Sequence, residues 1–223
     1  MVTKSYHIYG TVHKGGVLVP LVMSYVLMVI VFSIERFIVI GKASGTSSVD
    51  AFVRKIQGFL NAGNIDAASA ECDKQKGSVA NVIKAGLKKY KEMETDATLD
   101  VDQKTLAIQK DIEEATALEM PMLEQNLTII ATLVSIGTLT GLLGTVVGMI
   151  KAFAELSGAA TNTSKLSSAI SEALVNTAMG ITTSALSIVM YNVFTSKIDG
   201  LTYAIDETGF SIVQTFAASH KNK

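Results

Sequence analysis

The chain has 223 residues, 48% of them hydrophobic and 17% charged, with a mean hydropathy of +0.38; soluble domains carry roughly 25% charged residues, so this composition points to a membrane. The net charge of −1 and the pI near 6.3 argue against a nucleic-acid binder and suggest no polybasic tail. Cys72 is the single cysteine, which excludes an intramolecular disulfide and implies no oxidising compartment.

Three windows carry no charge at all, residues 15–34, 125–150 and 173–196. About 20 apolar residues cross a bilayer, so each window is long enough to span it. The predicted organisation is an N-terminal periplasmic segment 1–14, a first transmembrane helix 15–40, a helical cytoplasmic domain 41–124, a second transmembrane helix 125–154, a periplasmic loop 155–168, a third transmembrane helix 169–196 and a cytoplasmic tail 197–223. The fold class is therefore an all-α integral membrane protein. Lys4 and Lys14 before the first window allow a cleaved signal peptide, but its apolar core exceeds the usual length and the nearest small-residue site, "GKASG", lies beyond Glu35 and Arg36. It reads as a retained span. Fifteen of the Lys and Arg residues fall in the insert and tail, against four in the N-terminal segment and the short loop. Basic residues stay in the cytoplasm, which puts the N-terminus outside and the C-terminus inside.

The insert reads as helices. Ser47 or Ser48 offers an N-cap, apolar positions follow at Val49, Phe52, Val53, Ile56 and Leu60, and Gly63-Asn64 gives a stop. A short helix fits 65–74, another fits 78–93 before the polar break "METDATLD", and an amphipathic run over 99–119 feeds the second span. Pro121 kinks that run if it is continuous, or opens a new helix if it is not.

The second span contains "GLLGTVVGMI", three glycines in eight residues, each costing roughly 1 kcal/mol against alanine in a helix interior. In lipid no hydrophobic force draws helices together, and small residues supply association by letting backbones approach closely. Gly137, Gly141, Gly144 and Gly148 fall within an arc of about 60°, extended by Ala131, Thr138 and Thr145. This thin side packs either within one chain or between subunits, and the spacing alone leaves both open. The third span has a polar stripe: Asn176, Gly180, Thr183, Ser187 and Tyr191 lie within about 100° of Glu172, with Ser184 and Thr177 close behind. Polar groups in a span face a protein interior or a water-filled path. Glu172 is either an interfacial cap or an internal carboxyl, and desolvation drives an internal carboxyl towards its neutral form, which suits a group that takes up and releases protons.

Little else suggests chemistry. His7, His13 and His220 lie at opposite ends of the chain with no metal-ligand spacing, "GLLGTVVG" lacks the GK[ST] ending of a phosphate loop, and "DIEEATALE" reads as a solvated helix face. Neither a metal site nor a cofactor is expected, and no enzyme constellation appears.

"IERF" at the end of the first span, "LLGTVVGM" in the second, and "EALVNTAMGI" followed by "YNVF" in the third together resemble the MotA/TolQ/ExbB proton-channel family, in particular its ExbB/TolQ branch and within it most of all ExbB. The resemblance covers nearly the whole chain. It departs at Val147, where the best-known members carry tryptophan. It implies that Thr145, Glu172 and Thr177 line a proton path. It also implies a ring-forming homo-oligomer, a pentamer, around the helices of an ExbD-like single-span partner, in a bacterial inner membrane among its lipids. Protons running through would drive mechanical work, passed to a TonB-like protein that energises outer-membrane transport. Each proton crossing 100 mV releases about 2.3 kcal/mol. The alternatives are a TolQ-like subunit for envelope maintenance, a gliding-type motor subunit, or a passive membrane scaffold.

Overall fold

The computed structural model describes residues 18–157 and 163–220. The predicted segment 1–14, the start of the first span, positions 158–162 of the predicted loop, residues 221–223 and the histidines His7 and His13 lie outside the described residues. The described residues form seven α-helices and no strand: α1 Leu18–Ala43, α2 Val49–Asn61, α3 Ile65–Gln75, α4 Gly77–Thr95, α5 Val101–Glu124, α6 Leu127–Leu156 and α7 Thr163–His220. They divide into two compact units. One holds the described residues up to Glu35 together with Asn126–Val193, and the other holds Arg36–Gln125 and the chain from Phe194 onward.

The first unit contains the apolar stretches that are long enough to cross a membrane. Its burial pattern differs from that of a soluble bundle. Leu27, Val31, Leu139, Ile150, Phe153 and Leu174 all face outward, while Gly137, Gly141, Asn176, Thr183 and Ser187 are buried. Large apolar groups gain nothing by leaving lipid for protein, so small residues that pack closely and polar ones that find partners share the inside with Val22, Val29, Ile130 and Leu133.

The second unit is a helical domain with a conventional core. Ser48 caps α2, its Oγ accepting from the Ala51 amide at 3.3 Å, and Phe52, Val53, Ile56 and Leu60 are buried as the spacing predicts. Asn64 caps α3 in the same way. α5 begins two residues later than the predicted run, because Asp100 forms a capping box with Gln103 and fixes the start at Val101. At Gly86 of α4 a Cβ would sit 2.6 Å from Cγ1 of Ile112, so glycine there sets the α4–α5 separation. Tyr90 meets Phe216 edge to face with ring centroids 4.9 Å apart, and His220 stacks on Phe216 at 4.3 Å. His220 therefore finishes a helix face, and among the described residues no group of His, Cys, Asp and Glu is placed to hold a metal. Cys72 is buried, and burial, with Asp73 beside it, pushes its thiol up to about 12. An unionised, enclosed thiol is chemically quiet.

Helices run on across two of the predicted bounds. The residues after 196 are not a separate element, since α7 runs unbroken to His220. The sequence reading stopped where charge resumes at Lys197 and Asp199, but charge ends immersion in lipid and not helicity. Phe194, Ile198, Leu201, Ile205, Ile212 and Phe216 continue the helical spacing and are buried in the second unit. Within the predicted loop 155–168, α6 extends to Leu156 and α7 starts at Thr163.

Pro121 neither opens a helix nor ends one. It lies inside α5, and the interruption falls at Gln125–Asn126, where Asn126 adopts a left-handed φ of 63°. Breaking the ladder there strips the carbonyls of Met122 and Leu123 of their usual amide partners. Arg36, 1% exposed, donates to both, at 3.0 and 3.2 Å. In the first unit the Asn126 amide donates to Glu35 at 3.3 Å. The pair Glu35-Arg36, which in the sequence looks like a mere end to the first span, thus serves the groups exposed by the break.

Candidate proton site between two apolar helices

The four predicted packing glycines of α6 face α7 of the same chain. A Cβ at Gly137 would lie 3.0 Å from the Ser184 hydroxyl, one at Gly141 3.1 Å from Cα of Gly180, one at Gly144 2.5 Å from Cβ of Asn176, and one at Gly148 2.5 Å from Cβ of Ala173. Gly180 answers from α7: its Cβ would meet the Gly137 carbonyl at 2.5 Å. Thinness on both helices brings the backbones together over about three turns. Of the two packings that the spacing leaves open, this is the one within the chain.

The polar stripe of α7 lies in this contact. Thr177 donates to the Gly141 carbonyl at 2.9 Å, Ser184 donates to the Val134 carbonyl at 2.5 Å, and the Thr138 hydroxyl lies 2.6 Å from that of Ser184. Thr183 and Ser187 donate back to Met179 and Thr183 in their own helix, at 2.9 and 2.8 Å. Thr177 and Ser184 thus hold the two helices together, and a hydroxyl that donates to a carbonyl keeps an acceptor site for water.

Glu172 stands at the end of this contact, one residue before Ala173. Its side chain is 16% exposed and accepts from Lys151 Nζ at 3.1 Å. Thr145 lies on α6 with its hydroxyl donating to the Leu142 carbonyl at 2.6 Å. The structure places Glu172, Thr145 and Thr177 along the same pair of helices, yet both hydroxyls are bonded to backbone carbonyls and not to the carboxylate. The partner of Glu172 is a residue to which the sequence analysis gave no role. A signal for it existed: Lys151 follows Gly148 by three positions, so it continues the glycine face at the point where the uncharged window ends. A second pair lies beyond it, Lys165 with Glu155 at 3.8 Å.

A buried-side carboxylate opposed by one ammonium, at the end of a contact lined with hydroxyls, can hold a proton or a positive charge but offers no nucleophile with an adjacent base.

The profile of the MotA/TolQ/ExbB proton channel family matches residues 74–207, more than half of the chain. The glycine motif of α6 and the Glu172 and Tyr191 motifs of α7 all lie inside this match. An ExbB-like biopolymer transport protein of Synechocystis sp. is 38% identical over 88 residues, 38% of this chain and 42% of that protein. The Tol-Pal system protein TolQ of Pseudomonas aeruginosa is 24% identical over 195 residues, 85% of this chain and 83% of that protein. The match thus spans less than half the length of the first of these relatives and most of the second.

Proposed function

The chain belongs to the MotA/TolQ/ExbB proton channel family, and from that premise we propose that it is a stator subunit that turns proton flow into motion of a single-span, ExbD-like partner. The observation that carries this reading is Glu172, a partly enclosed carboxylate at the head of a polar stripe, where the uncharged apolar stretch 173–196 of α7 begins. In the proposed complex several copies, a pentamer, surround the partner in a bacterial inner membrane. Glu172 exchanges the proton, and Thr145 and Thr177 orient water towards it. The output is energy passed to a TonB-like protein for outer-membrane transport. A TolQ-like role in envelope maintenance is the second reading, favoured by the 85% of this chain that aligns with TolQ. Deleting the gene separates the two: loss of energised uptake supports the first, and a leaky outer membrane with intact uptake supports the second.

The roles of the hydroxyls supply the test of the path. Thr177→Ala and Thr145→Ala are expected to lower proton-driven work about fivefold, the worth of one hydrogen bond of about 1 kcal/mol. Thr→Ser at either position should retain it, because the hydroxyl survives. Growth that depends on the energised process, normalised to the amount of complex, measures this. Full activity in both alanine variants would remove the hydroxyls from the path.

The proposed topology has the N-terminus in the periplasm and the second unit in the cytoplasm. A cysteine at Ser157, between α6 and α7, should react with an impermeant thiol reagent in intact cells, and one at exposed Lys88 should react only after lysis. Cys72 cannot serve as the internal control, since its burial blocks the reagent on either side. The reverse labelling pattern would overturn the orientation.

A further inference from the structure

We infer that Lys151 is a positioning residue for proton transfer: its ammonium keeps Glu172 docked against α6 while the carboxylate is ionised and lets it go when a proton arrives. This rests on the reading of Glu172 as the proton-carrying group.

The geometry supports a pair that opens and closes in place. Lys151 and Gly148 lie on one face of α6, and Gly148 rests on Ala173, the neighbour of Glu172. A close approach of the two helices thus lies one turn from the ion pair, and it holds the two Cα positions fixed while the side chains move. The outer pair of Lys165 and Glu155 runs in the opposite sense, with the cation on α7 and the anion on α6. It keeps the helix ends together when the inner pair is open. These four residues are the charged groups of α6 and of the first-unit part of α7. α1 brings none from Leu18 to Ile34, and its Glu35 is engaged with Asn126.

Charge balance gives the direction of the switch. With Glu172 ionised, the pair is neutral as a unit and the carboxylate is attracted to α6. A proton that binds Glu172 leaves the carboxyl neutral and Lys151 positive, so the attraction that docked the side chain is gone. Lys151 is half exposed and can turn towards water with its charge, as long cationic side chains do at a membrane surface. The neutral carboxyl is then free to face a partner helix. When the proton leaves, the ammonium draws the carboxylate back. Lys151 thereby links the loaded state of Glu172 to its position, which a device converting proton flow into motion needs and a passive channel does not.

The test uses the complex purified with its single-span partner and reconstituted in vesicles, with proton flux reported per assembled complex. Lys151→Met, which keeps the length and removes the charge, is expected to lower flux about tenfold, the worth of one charge-assisted hydrogen bond. Lys151→Arg should restore it. A purely structural ion pair would instead lower the yield and melting temperature of Lys151→Met and leave flux per complex unchanged, and that result would overturn the inference. The exchange of the two residues, Lys151→Glu with Glu172→Lys, adds an independent arm. It keeps the attraction, so assembly should recover, while flux should stay lost because the carboxylate now sits on α6; recovered flux would also overturn the inference. Glu172→Gln in the same vesicles separates this from its premise. Wild-type flux there would mean that Glu172 is not the proton carrier, whereas lost flux with an unaffected Lys151→Met would leave the premise standing and remove only the role of Lys151.

Discussion

Replacing Gly144 with leucine is expected to remove most of the folded protein from the membrane. Even the first added carbon would lie 2.5 Å from Cβ and 3.1 Å from Cγ of Asn176, inside any normal contact, and the rest of a leucine has nowhere to go. Overpacking of this kind typically costs about 1 to 3 kcal/mol when neighbours can shift. Here they cannot shift independently, because Gly141 and Gly148 hold α7 at the same separation on either side. The change forces the helices apart, stretching the Thr177–Gly141 hydrogen bond and the Lys151–Glu172 pair together. The damage falls on the chain's own helix pair before it reaches any contact between subunits. Gly200 on α7 is the control: nothing lies within 4 Å of its Cβ position. Gly200→Ala should match or slightly exceed wild type, since alanine gains roughly 1 kcal/mol over glycine inside a helix. Membrane-extracted yield and melting temperature in detergent measure both. A Gly144→Leu protein with wild-type values would show that α6 and α7 do not pack as described.

Glu172→Gln should abolish proton-driven work while leaving the amount of assembled complex unchanged. Glutamine has the size and polarity of glutamate, so the packing of α6 against α7 is kept although the charge that draws the side chain to Lys151 is lost. What it lacks is the ability to bind a proton and release it. Structure and transport are thereby separated in one substitution, which a change to alanine would not achieve. The readout is growth that depends on energised uptake, alongside the quantity of complex recovered with the partner. Full activity would reduce Glu172 to a clasp between two helices, and the proton path would then have to run through the partner alone.

Much of this arrangement is written locally. The uncharged windows, the serine cap and the i, i+4, i+8 spacing of Phe52, Ile56 and Leu60 act over a few residues, so the sequence shows them directly. The glycine arc of α6 and the small, polar stripe of α7 are legible as faces for the same reason. That the two faces meet is not, because complementarity between helices depends on which partner is nearest, and thin sides suit a subunit contact equally well. The continuation of α7 past Ser196 was hidden by a change of solvent: the buried face of the helix carries on through Ile198 and Ile205 while its other face turns from lipid-facing to charged. The break at Asn126 is not legible because proline is the stronger local signal. The roles of Arg36 and Lys151 are illegible in the sequence for a common reason. Each is a single charge at the edge of an apolar window, and its meaning lies in a partner 86 or 21 positions away.

Proton flux into vesicles bearing the purified complex tests the central claim most directly, with a potassium diffusion potential as the driving force and an internal pH dye as the reporter. Wild-type complex should acidify the vesicle interior well above the rate of empty vesicles, and complex carrying Glu172→Gln at equal density should match the empty ones. Equal acidification by wild type and Glu172→Gln would contradict the account.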